Sequence, residues 1–321
     1  MSSFASTSPV LSRGPIARLD RWLHAMPHPS LVAEVAAHRV AAAHWGKGRG
    51  ALESFAVEPL PPGAVMPSPV DANVPQPEAL KAALRRLFVR VPHHGGPIAL
   101  LLPDPVVRVF ILPFETLPRR VDDARSILRW RLKKSVPFDV DETVVSWMRQ
   151  QGREAKLEVM AAVARQRIIR EYELAIEALG ATPKVVLGST LSSLPLLEDH
   201  GATLLVRLSG RTLTTVIVRG SNLCVYRSSE LSRDLVAPAM LDEIFPAIAY
   251  YQDTWGESVD RARLAGFGSR DEVFRKALSE ELRVSVEPLA DTPEILHLGS
   301  GARDLIAQDL DALVGWTLNQ A

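Results

Sequence analysis

The sequence has little cysteine, no long hydrophobic run and no excess of charge of either sign. Its one cysteine, Cys224, excludes a disulfide within the chain and fits a reducing compartment. Lys+Arg and Asp+Glu both number 37, which gives no overall attraction to nucleic acid or to an acidic membrane. No run approaches the roughly 18 apolar residues of a membrane-spanning helix, and the first residues lack the pattern of a secretion signal. We therefore expect a cytoplasmic protein.

The residues that are present favour a folded chain with two lobes. Hydrophobic residues make up 47% of the 321 positions and charged residues 23%, and the length suits two domains better than one core. Residues 31–60 and 202–229 each read as an apolar strand, a tight turn, a second strand, a glycine-containing turn and a third strand. Because each unit opens one half of the chain, the pattern indicates an internal duplication of two α/β lobes.

Helices follow from the hydrophobic spacing between and after these units. The helix from Arg119 to Lys134 must stop before Pro137, because a residue before proline avoids helical geometry. An amphipathic helix is predicted from Pro15 to Met26, and we favour its packing on the protein's own body over docking on a membrane or a partner. Further helices are predicted over residues 77–88, 166–180 and 238–256.

Four stretches of the sequence carry a family resemblance, at residues 59–84, 126–147, 243–269 and 311–320. The second contains a basic helix that stops at Val-Pro-Phe and the strand after it, and the third contains a long helix, a strand and a glycine loop. Together these stretches resemble the type IV pilus assembly protein PilM, a family related to the cell-division protein FtsA. The resemblance implies a two-lobed actin-like fold of duplicated ribonuclease H-like α/β lobes, with an α/β insert in lobe one.

The resemblance also implies where the lobes begin and end. The insert would be a compact body with two strand-rich stretches and two long helices, and prolines mark the connections at both of its ends. The expected ranges are 1–28 for an N-terminal tail, 29–104 with 182–200 and 305–321 for lobe one, 105–181 for the insert, and 201–304 for lobe two.

The nucleotide-binding hairpins of an actin-like ATPase are altered in this chain. Each hairpin needs a small residue that lets the backbone approach phosphate, and a carboxylate that holds the waters around Mg²⁺. The family reads Asp-Ile-Gly in both hairpins. Here Glu34 and Ala36 take the places of the Asp and Gly in the first hairpin, and Arg207 and Ser209 take them in the second. The resemblance therefore points to nucleotide-binding positions that have lost their chemistry.

The adenine-side loop of lobe two keeps Gly266 and Gly268, although Phe267 separates them. With both hairpins altered, we expect no Mg-dependent hydrolysis, weak or absent nucleotide binding, no metal site and no cofactor. The alternative is that Arg207 pairs directly with phosphates, so that ATP is bound without a metal.

The partner implied by the family is the tail of the membrane protein PilN, which binds as an extended peptide between the insert and the rest of lobe one. Such a peptide needs apolar pockets for alternate side chains and partners for its backbone. We predict that Leu132, Val136, Pro137 and Phe138, around the helix stop, contact it. Burial of Phe138 in the insert's own core is the favoured alternative.

The resulting hypothesis is a non-enzymatic scaffold for pilus assembly and twitching motility. It would lie at the cytoplasmic face of the inner membrane, attached through its PilN-like partner, with the assembly motor ATPase as a further candidate partner. One rival hypothesis is an active ATPase whose nucleotide state controls assembly. Another is the cytoplasmic domain of a GspL-like protein of type II secretion, which shares the fold and normally continues into a membrane-spanning segment.

Three other features favour simpler interpretations. His93 and His94 read as a solvated loop, because no Cys/His spacing supports a metal site there. Cys224 reads as a small buried hydrophobic residue within a strand. The basic helix from Arg119 to Lys134 reads as a solvated face, with contact to anionic lipid or to an acidic partner as a minority interpretation. No recognition motif indicates nucleic acid.

Overall fold

The computed structural model describes the chain from residue 28 onward, with several short gaps. The helix predicted from Pro15 to Met26 and most of the turn predicted at residues 46–50 lie outside the described residues. The structure describes residues 28–46, 51–93, 95–153, 156–198, 200–232, 234–292, 295 and 300–318.

Strands and helices follow the predicted order, apart from a strand at Ser285–Pro288 and a helix at Ser300–Ile306 that the sequence did not suggest. The strands are β1 (Leu31–Val35), β2 (Arg39–Trp45), β3 (Leu52–Pro59), β4 (Pro97–Leu102), β5 (Arg108–Phe114), β6 (Thr143–Gln151), β7 (Leu157–Arg165), β8 (Thr182–Gly188), β9 (Ala202–Ser209), β10 (Thr212–Arg219), β11 (Asn222–Glu230), β12 (Arg261–Ala265) and β13 (Ser285–Pro288). The helices are α1 (Pro77–Arg90), α2 (Val121–Leu132), α3 (Gln166–Glu177), α4 (Ser189–Ser193), α5 (Ala237–Trp255), α6 (Asp271–Leu282), α7 (Ser300–Ile306) and α8 (Asp311–Leu318).

Lobe one is built on a five-stranded sheet in the order β3-β2-β1-β4-β8. The first three strands form an antiparallel meander, whereas β4 and β8 add to it in parallel. Strand β4 is a continuous apolar run whose side chains are buried beyond Pro97, as expected for a parallel strand covered on both faces. Helices α1 and α3 supply the buried side chains of Leu80, Leu84 and Tyr172 to this core.

Lobe two repeats this design in the order β11-β10-β9-β12-β13. Strands β9 to β11 form the antiparallel meander, and β12 and β13 add in parallel. In both sheets the third, second and first strands of the meander are followed by two parallel strands. This equivalent order confirms the duplication predicted from the two meanders. Helices α5 and α6 pack against this sheet through Met240, Tyr251 and Phe274, and α5 continues through Pro246.

The insert is a three-stranded antiparallel sheet in the order β5-β7-β6, covered by α2. Its predicted range of 105–181 includes a second helix, but α3 packs on α1 and β8, and Ile168 and Tyr172 lie in the core of lobe one. An amphipathic helix belongs to the core that buries its apolar face. The predicted boundary at residue 181 is therefore too late, since the insert's own body ends where β7 ends, at Arg165.

A shared hydrophobic cluster joins the two lobes. Leu187 of lobe one and Leu205 and Val216 of lobe two belong to it, together with Trp316 of α8. Helix α8 crosses α4 at close range, because a Cβ on Gly315 would lie 2.1 Å from the carbonyl oxygen of Ser192. None of the helices in the described ranges has the length and apolar content needed to cross a bilayer.

The position of Val136 predicts how the insert responds to a buried charge. Val136 is 9% exposed and packs with Leu128 and Leu132 in the core of the insert. Val136→Asp should lower the free energy of unfolding by about 2–4 kcal/mol, because it buries a carboxylate without a partner. Denaturant unfolding measures this change. Val121→Asp is the control, at an exposed position in the first turn of α2, and equal losses from both variants would contradict this core.

Candidate functional site

The two altered hairpins meet between the lobes. Glu34 lies on β1 and Arg207 on β9, and both side chains are buried. The Nη2 atom of Arg207 is 3.2 Å from Oε1 of Glu34. The structure therefore brings these two predicted residues together as an ion pair that crosses from lobe two to lobe one.

Two further carboxylates hold the same guanidinium. The Nε atom of Arg207 is 2.8 Å from Oδ2 of Asp311, and its Nη1 atom is 3.8 Å from Oδ2 of Asp104. Asp104 follows β4, and Asp311 opens α8. No side chain of this Arg207 cluster, which comprises Arg207, Glu34, Asp104 and Asp311, is more than 3% exposed. One cation of lobe two is thus surrounded by three anions of lobe one.

Hydroxyl and amide groups also donate hydrogen bonds to Asp104 and Asp311, as buried charges require. The backbone N–H of Thr190 donates to Oδ1 of Asp104 at 2.9 Å, and the Thr190 hydroxyl donates to Oδ2 at 2.5 Å. The hydroxyl of Thr214, from β10, donates to the same Oδ2 at 2.8 Å. The hydroxyl of Ser193 donates to Oδ2 of Asp311 at 2.5 Å. Thr214 therefore adds a second bond between the lobes.

The charge of Arg207 is fixed by this environment. Burial alone would lower the pKa of Arg207, but the carboxylates of Asp311, Glu34 and Asp104 reverse that effect and raise the pKa. A second cation borders the cluster, since Nη2 of Arg39 is 3.7 Å from Oε2 of Glu34. The Arg207 guanidinium is therefore held in its charged form.

The tips of the two hairpins approach each other closely. Gly210 has a φ of +60°, and a Cβ added there would lie 3.3 Å from Nδ1 of His38. Burial and the neighbouring charge of Arg39 lower the pKa of His38, so its ring is neutral at pH 7. The N–H of Ala36 donates to the carbonyl of Arg39 at 2.9 Å and closes its own turn, whereas a phosphate-binding turn directs its N–H groups at the ligand. Ser209 ends β9 beside this contact.

The adenine-side loop is explained by packing. Gly266 has a φ of +83°, and a Cβ added there would lie 1.8 Å from the carbonyl oxygen of Leu208, so only glycine fits. Phe267 is buried in the core of lobe two, with its ring centroid 4.8 Å from that of Phe274. Gly268 has a φ of +53° and opens a short 3-10 turn. The positive φ angles therefore explain why glycine occurs at both positions, without reference to a nucleotide.

The residues of the hairpins do not fit Mg-ATP. Mg²⁺ prefers carboxylate and water oxygens, and the carboxylates here already bond Arg207. A fixed guanidinium at this position would also repel a divalent cation, and the repulsion is strong where little water screens it. The geometry instead suits a permanent electrostatic contact between the lobes.

The four residues predicted to bind a peptide lie at the end of α2. Leu132 and Val136 are buried in the core of the insert. Pro137 is exposed, and Phe138 is partly buried with the guanidinium carbon of Arg165 5.9 Å from its ring centroid. Packing of Phe138 against the insert agrees with the favoured alternative. Contact of these residues with a peptide stays a prediction.

An apolar groove lies between the insert and lobe one. Val144 and Ala162 of the insert line one wall, and Val186 and Gly188 of β8 line the other, with Leu191 between them. Strands β6 and β8 are each the last strand of their sheet, so a backbone edge borders each side of the groove. The four residues named at the end of α2 are not among those that line it in the described chain.

Two other sequence features are placed by their packing. The ring of His93 contacts Phe88 edge-on at 4.6 Å, and its Nδ1 accepts the N–H of Gly95 at 3.2 Å, whereas His94 lies outside the described residues. Burial raises the pKa of the Cys224 thiol to about 12, which agrees with its interpretation as a buried hydrophobic residue.

Sequence reasoning missed Asp104 and Asp311, which complete the Arg207 cluster. A signal was present for each, because Asp104 lies two residues after a fully apolar strand and Asp311 opens a largely apolar helix. A charged residue in such a setting is rarely buried without a partner. The pairing with Arg207 was not visible, since the residues lie about a hundred positions apart.

Solved structures place the fold. A chain of the PilM-PilN type IV pilus biogenesis complex matches with a TM-score of 0.72 at 20% identity, over 92% of this chain and 100% of that chain. A Bacteroides thetaiotaomicron protein with an actin-like ATPase fold and unknown function matches with a TM-score of 0.51 at 10% identity, over 88% and 94%. This chain has the actin-like ATPase fold.

The actin-like fold is confirmed as the sequence predicted it, with two duplicated lobes and an insert in lobe one. The cytoplasmic domain of EpsL, an inner membrane component of the type II secretion system of Vibrio cholerae, matches with a TM-score of 0.47 at 12% identity, over 73% and 80%. A comparison of the sequence with protein-family models finds no match.

The Arg207 cluster predicts a large loss of stability when its cation is removed. Arg207→Gln should lower the free energy of unfolding by about 3–5 kcal/mol, because three buried carboxylates lose their counter-charge. The control is Arg219→Gln, which breaks an exposed pair with Glu257 of the same 2.8 Å length. The control should cost less than about 1 kcal/mol. Chemical denaturation compares them, and similar losses would contradict the role given to burial.

Proposed function

We propose that this chain is a non-hydrolysing actin-like scaffold of a type IV pilus or related secretion machine. The observation that carries the proposal is the Arg207 cluster, in which a side chain of lobe two is bound by three carboxylates of lobe one. In an actin-like ATPase, metal and nucleotide occupy the space between the hairpins. Here the side chain of Arg207 connects the two lobes at that place.

We infer the loss of hydrolysis because the cluster leaves no carboxylate available to order the waters of a metal. Hydrolysis needs a metal whose waters are ordered by carboxylates, but Glu34, Asp104 and Asp311 are engaged by Arg207 and by hydroxyl groups. The approach of Gly210 to His38 also narrows the gap in which phosphates would lie. We therefore favour this scaffold over an active ATPase.

The alternative of metal-free ATP binding is weaker on the same grounds. For Arg207 to contact phosphate, its guanidinium would have to leave three carboxylates. Among the described residues, Arg39 beside Glu34 is the other cation that pairs with them. Exchange of buried ion pairs in this way would leave carboxylates uncompensated, which is costly. We infer that ATP is not a cofactor of this chain.

A nucleotide titration tests this part of the proposal. Isothermal titration with Mg-ATP should show weak or no binding, and a phosphate-release assay should show no turnover, because Arg207 replaces a carboxylate that would face the metal. A second titration, with ATP and a chelator, tests the alternative of metal-free binding. That alternative predicts that ATP binds when Mg²⁺ has been removed. Micromolar binding of Mg-ATP with measurable phosphate release would contradict the proposal.

The partner we propose is the cytoplasmic tail of a PilN-like membrane protein, held in the apolar groove between the insert and lobe one. The likeness to a chain of the PilM-PilN complex supports this choice. An extended tail can pair its backbone with the free edge of β6 or β8, and can direct alternate side chains toward Val144 and Val186. Such a partner would hold the scaffold at the cytoplasmic face of the inner membrane, with the assembly motor as a further partner.

Peptide binding tests the groove directly. Val144 is exposed on β6 and lines the groove, so Val144→Asp should leave the fold intact while placing a charge against an apolar peptide side chain. We expect this variant to bind a synthetic PilN-type tail at least about tenfold more weakly than the unaltered protein, a change of about 1.4 kcal/mol. Fluorescence anisotropy of the labelled peptide measures the affinity.

The matched control for the groove is Val273→Asp, which adds the same charge at an exposed valine of α6, outside the groove. Its affinity should equal that of the unaltered protein. No binding by the unaltered protein would end the peptide proposal, and equal binding by Val144→Asp would remove the groove from the site.

A further inference from the structure

The C-terminal end of α2 presents a surface that combines exposed apolar and basic side chains. Ile127 is exposed, and the Trp130 side chain is 74% exposed. Lys133 and Lys134 follow Trp130 by three and four residues, and both are exposed. The helical turn continues past the end of α2, because the N–H of Val136 donates to the carbonyl four residues earlier at 3.2 Å. Residues three or four apart share a helix face, so these four exposed side chains form one surface with Trp130 at its centre. We call it the basic patch.

The two lysines of the basic patch keep an uncompensated charge. Neither of them forms an ion pair within the described part of the chain. No acidic residue occurs between residues 124 and 138. Three acidic residues that flank this stretch pair with arginines at 2.9 to 3.8 Å, namely Asp122, Asp123 and Glu142. Asp139 accepts the N–H of Asp141 at 3.0 Å. The patch therefore joins positive charge to an exposed indole ring.

The basic patch lies next to one wall of the apolar groove. The Nη2 atom of Arg129, in the last turn of α2, donates to the carbonyl of Thr143 at 3.1 Å. Thr143 begins β6, and the next residue, Val144, lines the groove. A peptide held in the groove would therefore lie close to the patch.

We propose that the basic patch binds an anionic phospholipid surface directly. Trp130 would lie at the boundary between headgroups and acyl chains, where tryptophan is favoured because its ring is apolar and its N–H is polar. Lys133 and Lys134 would contact headgroup phosphates through their flexible stems. Each basic residue near an anionic membrane surface strengthens binding about fivefold.

A lipid surface fits the basic patch better than a folded protein does. The apolar part of the patch consists of Ile127 and Trp130, whereas a stable protein interface covers about 800 Å² on each partner. The chain has a formal net charge of zero, so the attraction is confined to the patch, and binding through it alone is weak and reversible. Stable attachment takes two signals. The second would be the membrane protein's tail in the groove, and this step rests on the proposed function.

Vesicle flotation at low salt tests the proposal. The unaltered protein should float with vesicles that contain phosphatidylglycerol but not with vesicles of phosphatidylcholine alone, and added salt should weaken the binding. Lys133→Gln combined with Lys134→Gln should weaken binding at least about tenfold, because two contacts with anionic headgroups are lost. Trp130→Ser should remove most of the binding, because the apolar contact is lost.

Matched controls change the same kinds of side chain elsewhere. Lys81→Gln combined with Lys276→Gln removes two lysines from α1 and α6, and Phe245→Ser removes an exposed aromatic ring from α5. None of these changes should alter flotation, and circular dichroism checks that each variant keeps the fold. The proposal is overturned if the unaltered protein does not float with the anionic vesicles or floats equally with neutral ones. It is also overturned if the patch variants float as well as the unaltered protein.

Peptide affinity separates this proposal from that of the groove. The double lysine variant should bind the synthetic PilN-type tail as tightly as the unaltered protein does, while it loses flotation. Val144→Asp should lose the peptide and keep flotation. If the unaltered protein ignores vesicles and the lysine variant loses the peptide, the patch belongs to the peptide site and the lipid proposal is wrong. Flotation without any peptide binding would end the groove proposal alone.

Discussion

The arrangement of the two lobes depends on one guanidinium of lobe two that is buried among three carboxylates of lobe one. Breaking such a contact by removing one partner costs about 3–5 kcal/mol, because the remaining charges stay buried without compensation. A bound nucleotide and metal can leave a cleft, but Arg207 cannot leave its own chain. The contact between Arg207, Glu34, Asp104 and Asp311 therefore belongs to the folded chain itself.

Hydrogen bonds also connect the insert to lobe two. The side-chain amide of Gln150 bonds both the carbonyl and the N–H of Leu223, at 2.7 and 3.2 Å, and so acts as a partner for the edge of β11. Asn222 donates to the carbonyl of Gln151 at 2.7 Å. Strand β6, which forms one wall of the apolar groove, is thus attached to lobe two at its end. A groove with walls fixed in this way loses little freedom when a peptide binds, which favours affinity.

Much of the fold could be predicted from the sequence, because strand and helix periodicity is local. The two meanders, the buried strand β4 and the stop of α2 before Pro137 are all visible in short windows. The assignment of α3 failed for a physical reason, since its apolar face shows that it is covered but not which core covers it. The site was predicted only in part. Arg207 and Glu34 were found through the hairpins, whereas Asp104 and Asp311 approach them only through the tertiary fold.

The charge of Arg207 and the charges of the three carboxylates around it depend on each other. An arginine at position 207 facing no carboxylates would be an unpaired buried cation, and three carboxylates facing no arginine would be unpaired buried anions. Replacing Arg207 by Asp would not restore a metal site, because it would leave four carboxylates beside Arg39 alone. The charge balance of the whole cluster, more than the loss of any one glycine, is therefore the main support for the structural use of the cleft that we propose. On that proposal, binding functions are left to the outer surfaces of the chain and to the groove beside the insert.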